Sequence, residues 1–417
     1  MRAKGADTNV ASRREWSAAG RALPAHVGRY NRGLILAHLA RDPGMSRSDI
    51  AAATDLTRPA VTRIVDQMIH DGLVQERPDE AGYAGRGRPQ VGLELRADGG
   101  FVLGVGLGAY EQSIRLVNLQ GECVGREHFD LADAETVIPT ITAAARRLLR
   151  TGRVRRDRLL GMTAGIAGVV DHIRGAVIES PNIGWRAVNF ASALERRLQI
   201  PVFVDALHHV LNVAEARAGR GRPVDSSVLV NIALGIGSSA IEFGKVLRGA
   251  HAMAGQIGHL HAPGATELCT CGRYGCLDTV ASGYAVLRNL DSVPARRVAH
   301  EHTREEIDLL LEAIHRERRG DLLTKAVFHD CGAKLGEALC AVLSILDPSR
   351  IVLAGPLAQV SSFVEGARTR VRLPHDAAGA HGSSIDLCTY EADEAAAIVA
   401  LQHFVFPLGM DGFARRP

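Results

Sequence analysis

Residues 258–278 read GHLHAPGATELCTCGRYGCLD, and this stretch decides how the rest of the chain is understood. Cys269, Cys271 and Cys276 fall within eight residues, with His259 upstream. Three thiolates and one imidazole are the ligand set of tetrahedral zinc. A closed Cys3His shell leaves no position for an activated water, so the expected role is structural. Gly272 and Gly275 let the backbone turn tightly around an ion. His261 competes for the fourth place, but with only Leu260 between them, one of the two histidines faces the metal. The other cysteines, Cys123, Cys331, Cys340 and Cys388, are scattered. The seven together read as a metal site plus buried thiols in a reducing cytoplasm, not a disulfide framework.

Outward from that segment, strands and helices alternate over the last ~320 residues, which makes the fold class α/β. Residues 101–107 and 112–119 are strand-like, 136–150 an amphipathic helix and 159–170 a glycine-interrupted strand region. A helix over 190–198, a short strand over 201–205 and a helix over 208–218 complete the first set. A second set runs through strands at 227–233, 239–243 and 350–354 to a final apolar helix at 394–404. Two such sets predict two similar lobes around a cleft, where ligands bind.

Before residue 97 the pattern changes. Residues 1–25 are rich in Ala, Arg and Ser and predict a mobile basic arm. A helix starts near His26, with Val27, Tyr30, Leu34, Ile35 and Leu39 as its apolar stripe, and Asp42-Pro43-Gly44 stops it. Ser46-Arg47-Ser48-Asp49 is an N-cap signature for a short second helix. After a tight turn at Asp55-Leu56, Thr57 caps a third helix that tolerates Pro59 in its first turn. Val61, Ile64, Val65, Met68 and Ile69 form its buried stripe, and Arg58, Thr62, Arg63 and Gln67 the opposite face. Two strands, near 73–74 and 91–95, then flank a basic tip, Ala84-Gly85-Arg86-Gly87-Arg88-Pro89. This order predicts a winged helix-turn-helix. Its third helix would enter a major groove, with Arg47 of the second helix and Thr57, Arg58, Thr62 and Arg63 as DNA contacts, and its wing would place Arg86 and Arg88 in a minor groove. The tip hexapeptide recurs at 218–223 as a plain surface loop, so alone it says little.

Charge supports the division. The 417 residues carry 49 Lys or Arg and 46 Asp or Glu, a net +3 that argues against a nucleic-acid coat. Residues 1–96, however, hold 15 basic and 11 acidic side chains, so the basic excess lies in the winged region. Residues 1–20 lack the apolar core of a signal peptide, and no apolar run reaches the ~18 residues of a membrane helix. The expected location is the cytoplasm.

The chain resembles the ROK family (repressors, open reading frames, kinases). The resemblance rests on Gly258-His259 followed by Cys-x-Cys-Gly-x-x-Gly-Cys, on Pro181-Asn182-Ile183-Gly184-Trp185, and on the helix-turn-helix start of the family's regulators. It implies a two-lobed, actin-like sugar-kinase fold, divided as an arm over 1–25, a winged domain over 26–97 and a kinase-like domain over 98–417. The lobes would span about 98–222 with the C-terminal helix, and 223–390. It also implies a sugar site at Asn182, Asp205, His209, Gln256 and His259. The family's catalytic triplet falls on Asp205-Ala206-Leu207, where Leu207 takes the place of the base. The phosphate loops are altered to Gly106-Leu107-Gly108-Ala109-Tyr110 and Ala233-Leu234-Gly235-Ile236-Gly237-Ser238-Ser239, and the adenosine-side glycine pair to Ala354-Gly355-Pro356. Leucine cannot accept a proton, so phosphoryl transfer is not expected. The function implied is a DNA-binding transcriptional repressor, a homodimer or dimer of dimers on a palindromic double-stranded operator. Its catalytically dead kinase domain would oligomerise and sense a carbohydrate. The alternatives are an active sugar kinase carrying a DNA module, and a regulator without a small ligand.

Overall fold

Helix punctuation organises the first unit. In the computed structural model, which describes residues 24–77, 91–130, 133–180, 183–219, 223–250, 253–293, 304–371 and 384–406, the chain separates into two compact units between Leu95 and Arg96. The first holds helices α1 (Pro24–Arg41), α2 (Arg47–Thr54) and α3 (Arg58–His70) and strands β1 (Val74–Arg77) and β2 (Gly92–Leu95). Ser46 closes a capping box on α2: its hydroxyl accepts from the Asp49 amide at 3.2 Å, and the Asp49 carboxylate accepts from the Ser46 amide at 2.9 Å. The Ser46 hydroxyl also donates to the Asp49 carboxylate at 2.7 Å, and this bond, joined by that from the Ser46 amide, holds the carboxyl below its usual range. Asp55 ends α2 at φ 55°, in the left-handed region, and turns the chain into α3. Thr57 occupies the α3 cap position, but its side chain makes no capping bond.

Val61, Ile64, Val65 and Met68 of α3 are buried in the same unit as Ile35, Leu39, Ile50 and Leu93. Each such side chain is worth about 1.5–3 kcal/mol of transfer free energy. Ile69 is only half-buried. The apolar stripe expected on α1 is also shortened: the helix begins at Pro24, Val27 and Tyr30 are 44% and 43% exposed, and burial starts at Ile35. The strands pair antiparallel, Val74 opposite Leu95. Leu93 donates to the Met45 carbonyl at 3.0 Å, and the Gly44 amide donates to the Leu93 carbonyl at 2.8 Å, beside an isolated antiparallel bridge between Ser46 and Gly92. The wing tip with Arg86 and Arg88 lies outside the described residues.

The second unit opens with the meander β3 (Phe101–Leu107), β4 (Gln112–Asn118) and β5 (Cys123–Phe129). Helix α4 (Val137–Thr151) leads to β6 (Leu159–Ile166), a small antiparallel sheet of β7 (Val169–Asp171), β8 (Ala176–Ser180) and β9 (Trp185–Val188), helix α5 (Phe190–Leu198) and strand β10 (Val202–Ala206). The main sheet has the order β10-β6-β3-β4-β5, with β6 and β10 added parallel beyond β3. Every residue of β3, parallel to β6 and antiparallel to β4, is buried, as a central strand covered on both faces requires. Helix α6 (Leu207–Ala218) then enters the second lobe, built on β11 (Ser227–Ile232), β12 (Ile236–Glu242) and β13 (Lys245–Val246). Helices α7 (Asp278–Ala281), α8 (Gly283–Asn289), α9 (Arg304–Arg318) and α10 (Leu322–Leu346) follow, then β14 (Arg350–Ala354), α11 (Ser361–Arg370), β15 (Ser384–Leu387) and α12 (Ala392–Ala400). Its sheet order, β13-β12-β11-β14-β15, repeats the first lobe's plan of a meander plus two parallel strands.

Each lobe lends a helix to the other. Val210, Leu211 and Ala214 of α6 share a core with Leu229, Ile241 and Val352 of the second sheet. In return, α12 follows the second lobe's last strand but lies on β3. A Cβ on Gly104 would sit 2.2 Å from the Asp393 carbonyl oxygen, so only glycine admits the helix this closely. Fully buried Asp393 anchors it: Arg126 Nε reaches the carboxylate at 2.7 Å and Arg115 Nε at 3.4 Å.

Candidate functional site

The first candidate surface is the outer face of α3. Arg58, Thr62, Arg63 and Gln67 are all exposed there, with Pro59, Asp66 and His70 beside them. Exposed Thr57 stands at the start of the same helix. Arg47 has a different setting. Its guanidinium pairs with Asp66 at 2.9 Å and Glu76 at 3.1 Å, so it ties α2 to α3 and β1. Among the described residues, the charge on this face without an acidic partner therefore centres on Arg58 and Arg63.

The second is the cysteine segment. One nitrogen of His259 and the sulfurs of Cys269, Cys271 and Cys276 all lie within 4.8 Å of one another, a group able to hold a metal ion. The Cys269 sulfur is 3.7 Å from His259 Nδ1, and the Cys271 and Cys276 sulfurs are 3.6 Å apart. Gly272 and Gly275, at φ 84° and 75°, make the turns that gather them. Burial, reinforced by the neighbouring thiols, pushes the Cys276 thiol up to about 12. Such a cluster ionises only where a cation compensates its charge, which is the chemistry of a metal site. His261 lies outside the cluster. Its backbone pairs with Cys276, and a Cβ on Gly275 would fall 2.7 Å from its ring. Of the two histidines, His259 is thus the one that faces the sulfurs.

The third is the cleft between the lobes, a cavity of roughly 410 Å³. Leu207, His208 and His209 at the start of α6 line it, as do Gly235 to Ser238, Gln256, His259 and the Ala354-Gly355-Pro356 turn. Leu207 is buried and packs against Gly165 and Gly108. Burial pushes the His208 imidazole down to about 3. Ala109 and Tyr110, from the β3–β4 hairpin of the first lobe, pack into the second lobe's core, and burial raises the tyrosine hydroxyl well above its ordinary range. The altered first phosphate loop is thereby docked across the cleft. Gln256 lines the wall and donates to the Met253 sulfur at 3.3 Å. Asn182 lies outside the described residues.

Asp205 is the residue whose setting sequence reasoning missed. Its carboxylate accepts from the Ala206 amide at 2.8 Å, from His209 Nδ1 at 2.9 Å, and from both terminal nitrogens of Arg248 at 3.0 and 2.6 Å. Burial by itself would raise this carboxyl, but the bonds from His209 and Arg248 outweigh it and hold the group far below the usual carboxylate range. Arg248 was not singled out in the sequence. The only available signal was that a carboxylate closing a buried strand needs a cation from somewhere.

The comparisons with known proteins fit this geometry. Residues 102–380 match the ROK family. The chain belongs to the ROK family. Residues 30–82 match the MarR family. A putative xylose repressor from Caldicellulosiruptor sp. (strain Rt8B.4) is 26% identical over 339 residues, covering 79% of this chain and 84% of the relative. A solved ROK family transcriptional regulator, homologous to E. coli MLC, superposes with a TM-score of 0.72 at 24% identity, covering 91% of this chain and 97% of that one. A ROK family glucokinase from Streptomyces griseus, solved with glucose and AMPPNP, reaches 0.58 at 22% identity over 73% of this chain and all of its own. These two likenesses establish the fold: a ROK-type α/β unit behind a winged helix. Among the described residues no helix is long and apolar enough to cross a membrane.

Proposed function

We propose that this ROK protein is a sequence-specific DNA-binding transcriptional regulator, a repressor, working in the cytoplasm as a homodimer or dimer of dimers on a palindromic double-stranded operator. The observation that carries the reading is the outer face of α3, where Arg58, Thr62 and Arg63 stand exposed on the third helix of a winged helix-turn-helix. Such a helix fits a major groove, and a bidentate arginine–guanine contact is worth about 1–3 kcal/mol of base discrimination. Thr57 and the wing residues Arg86 and Arg88 belong to the same proposed interface, with Arg47 positioning α2 against α3.

The kinase-like unit is read as a catalytically inactive effector domain. Leu207 in the place of the base supports inactivity, and the docked Tyr110 hairpin, which takes up space at the first phosphate loop, adds to it. A cleft of this size with His209, Gln256 and His259 on its wall supports a small carbohydrate effector over the reading without a ligand, with these three and, by the family resemblance, Asn182 as candidate contacts. Effector binding between the lobes would change their closure and so alter DNA affinity. Zinc is the metal proposed for His259, Cys269, Cys271 and Cys276. With metal–sulfur distances of about 2.3 Å, a tetrahedron separates its sulfurs by about 3.7 Å, close to the spacing of Cys271 and Cys276. When bound, the ion would cross-link the segment that follows Gln256 along the cleft wall.

The test is selection of binding sites from random duplex DNA, with Arg63→Ala alongside. The expected result is one enriched palindromic site, bound about 5–150-fold more weakly by the variant. Failure of the wild-type protein to enrich any site would overturn the reading.

A further inference from the structure

Asp205 stands near the end of β10 and His209 in the first turn of α6, so one strand-to-helix junction brings the two side chains together, with His209 on the cleft wall. Arg248 has no acceptor atom and donates to both carboxylate oxygens. Its 3.2 Å approach to His209 Nδ1 follows from sharing Asp205 Oδ1 with that ring. The ionised carboxylate can only accept, so Nδ1 of His209 carries the proton that bridges the 2.9 Å contact. In the neutral ring Nε2 then keeps its lone pair. The ring lines the cleft, and Nε2 has no hydrogen-bond partner among the described residues. Arg248 and Asp205 balance each other's charge here, and His208, its ring centroid 4.6 Å from that of His209, is held neutral by burial. This end of the cleft therefore offers a fixed acceptor without net charge.

We infer that His209 Nε2 accepts a hydrogen bond from a hydroxyl of an uncharged polyhydroxy effector, and that Asp205 and Arg248 are positioning residues that set its ring and tautomer without touching the ligand. The inference rests on the effector reading above and corrects the sequence-based placement of Asp205 among the direct contacts. A carboxylate saturated by four protein donors has little capacity left for a sugar hydroxyl, whereas the imidazole held by that carboxylate lines the cleft in its place.

The experiment uses full-length protein and two readouts. In long-range proton–nitrogen spectra of [15N]histidine-labelled protein, His209 is assigned by the peaks lost in His209→Gln. The expected pattern is a proton on Nδ1 and none on Nε2, giving way to mixed tautomers in Asp205→Asn. A proton fixed on Nε2 of the wild-type ring would overturn the inference. Binding is then measured by calorimetry with xylose, glucose and N-acetylglucosamine as probes. A sugar that binds the wild-type protein should bind His209→Leu about 10–100-fold more weakly. His209→Gln, whose amide oxygen accepts at a similar reach, should retain most of the affinity. Asp205→Asn should weaken binding in the wild-type background and not in the His209→Gln background, since its effect runs through the imidazole. Equal affinity in His209→Leu, with its fold verified by circular dichroism, sinks the inference and leaves the effector reading standing. A wild-type protein that binds none of the three sugars overturns the effector reading and this inference with it.

Discussion

Asp393→Asn tests how α12 is held. The carboxylate is fully buried and is the shared partner of Arg115 and Arg126, whose side chains are 13% and 23% exposed. Breaking a buried ion pair from one side costs about 3–5 kcal/mol, because the remaining charge stays desolvated. Two features of the site reduce the figure. The carboxamide keeps the shape and one acceptor. Glu391, half exposed, still pairs with both arginines at 2.8 and 2.7 Å. Loss of a negative charge in the first turn of α12 acts in the other direction, by about 0.3–1 kcal/mol. The expected penalty is about 3 kcal/mol. It should appear as local opening of α12, read as roughly 100-fold faster amide hydrogen exchange over residues 392–400. Asp386→Asn is the control: its pair with Arg350 is half exposed and spaced at 3.4 Å, so exchange should change less than about fivefold. Exchange within fivefold of wild type in Asp393→Asn would refute the argument that this network anchors the helix.

Cys276→Ser should lose about one equivalent of zinc by elemental analysis and lower the melting temperature, whereas His261→Ala should keep its metal because that ring lies outside the cluster. Leu207→Asp should leave ATP turnover with hexoses at background in a coupled assay, since restoring a carboxylate neither frees the docked Tyr110 hairpin nor rebuilds the phosphate loops. Asp49→Asn should destabilise the winged unit in a pH-dependent way. The Asp49 carboxyl sits below its unfolded value, so its contribution is present above about pH 4 and fades as pH falls through the folded value. Thermal melts of wild type and variant should therefore differ at neutral pH and converge in acid.

Chemistry that is local in the chain could be read without the fold. The four side chains of the candidate metal cluster lie between residues 259 and 276, where residue types and two positive-φ glycines suffice to bring them together. The capping box at Ser46 and Asp49 and the turn at Asp55 were legible for the same reason: each is settled within one helical turn. Strand–helix alternation indicated two lobes, because period and length are properties of short windows. Local reading overreached on α1, where Val27 and Tyr30 keep the apolar spacing and remain exposed, since periodicity reports a face and not what covers it. Tertiary structure decided the rest. Arg248 meets Asp205 from 43 positions away, and Arg126 meets Asp393 from 267. Choosing His259 over His261 also required the backbone pairing of His261 with Cys276. Residue type announces that a buried carboxylate will find a cation, but which cation, and hence which neighbouring atom is left facing the cleft, depends on contacts that loop geometry and packing create only in the folded chain.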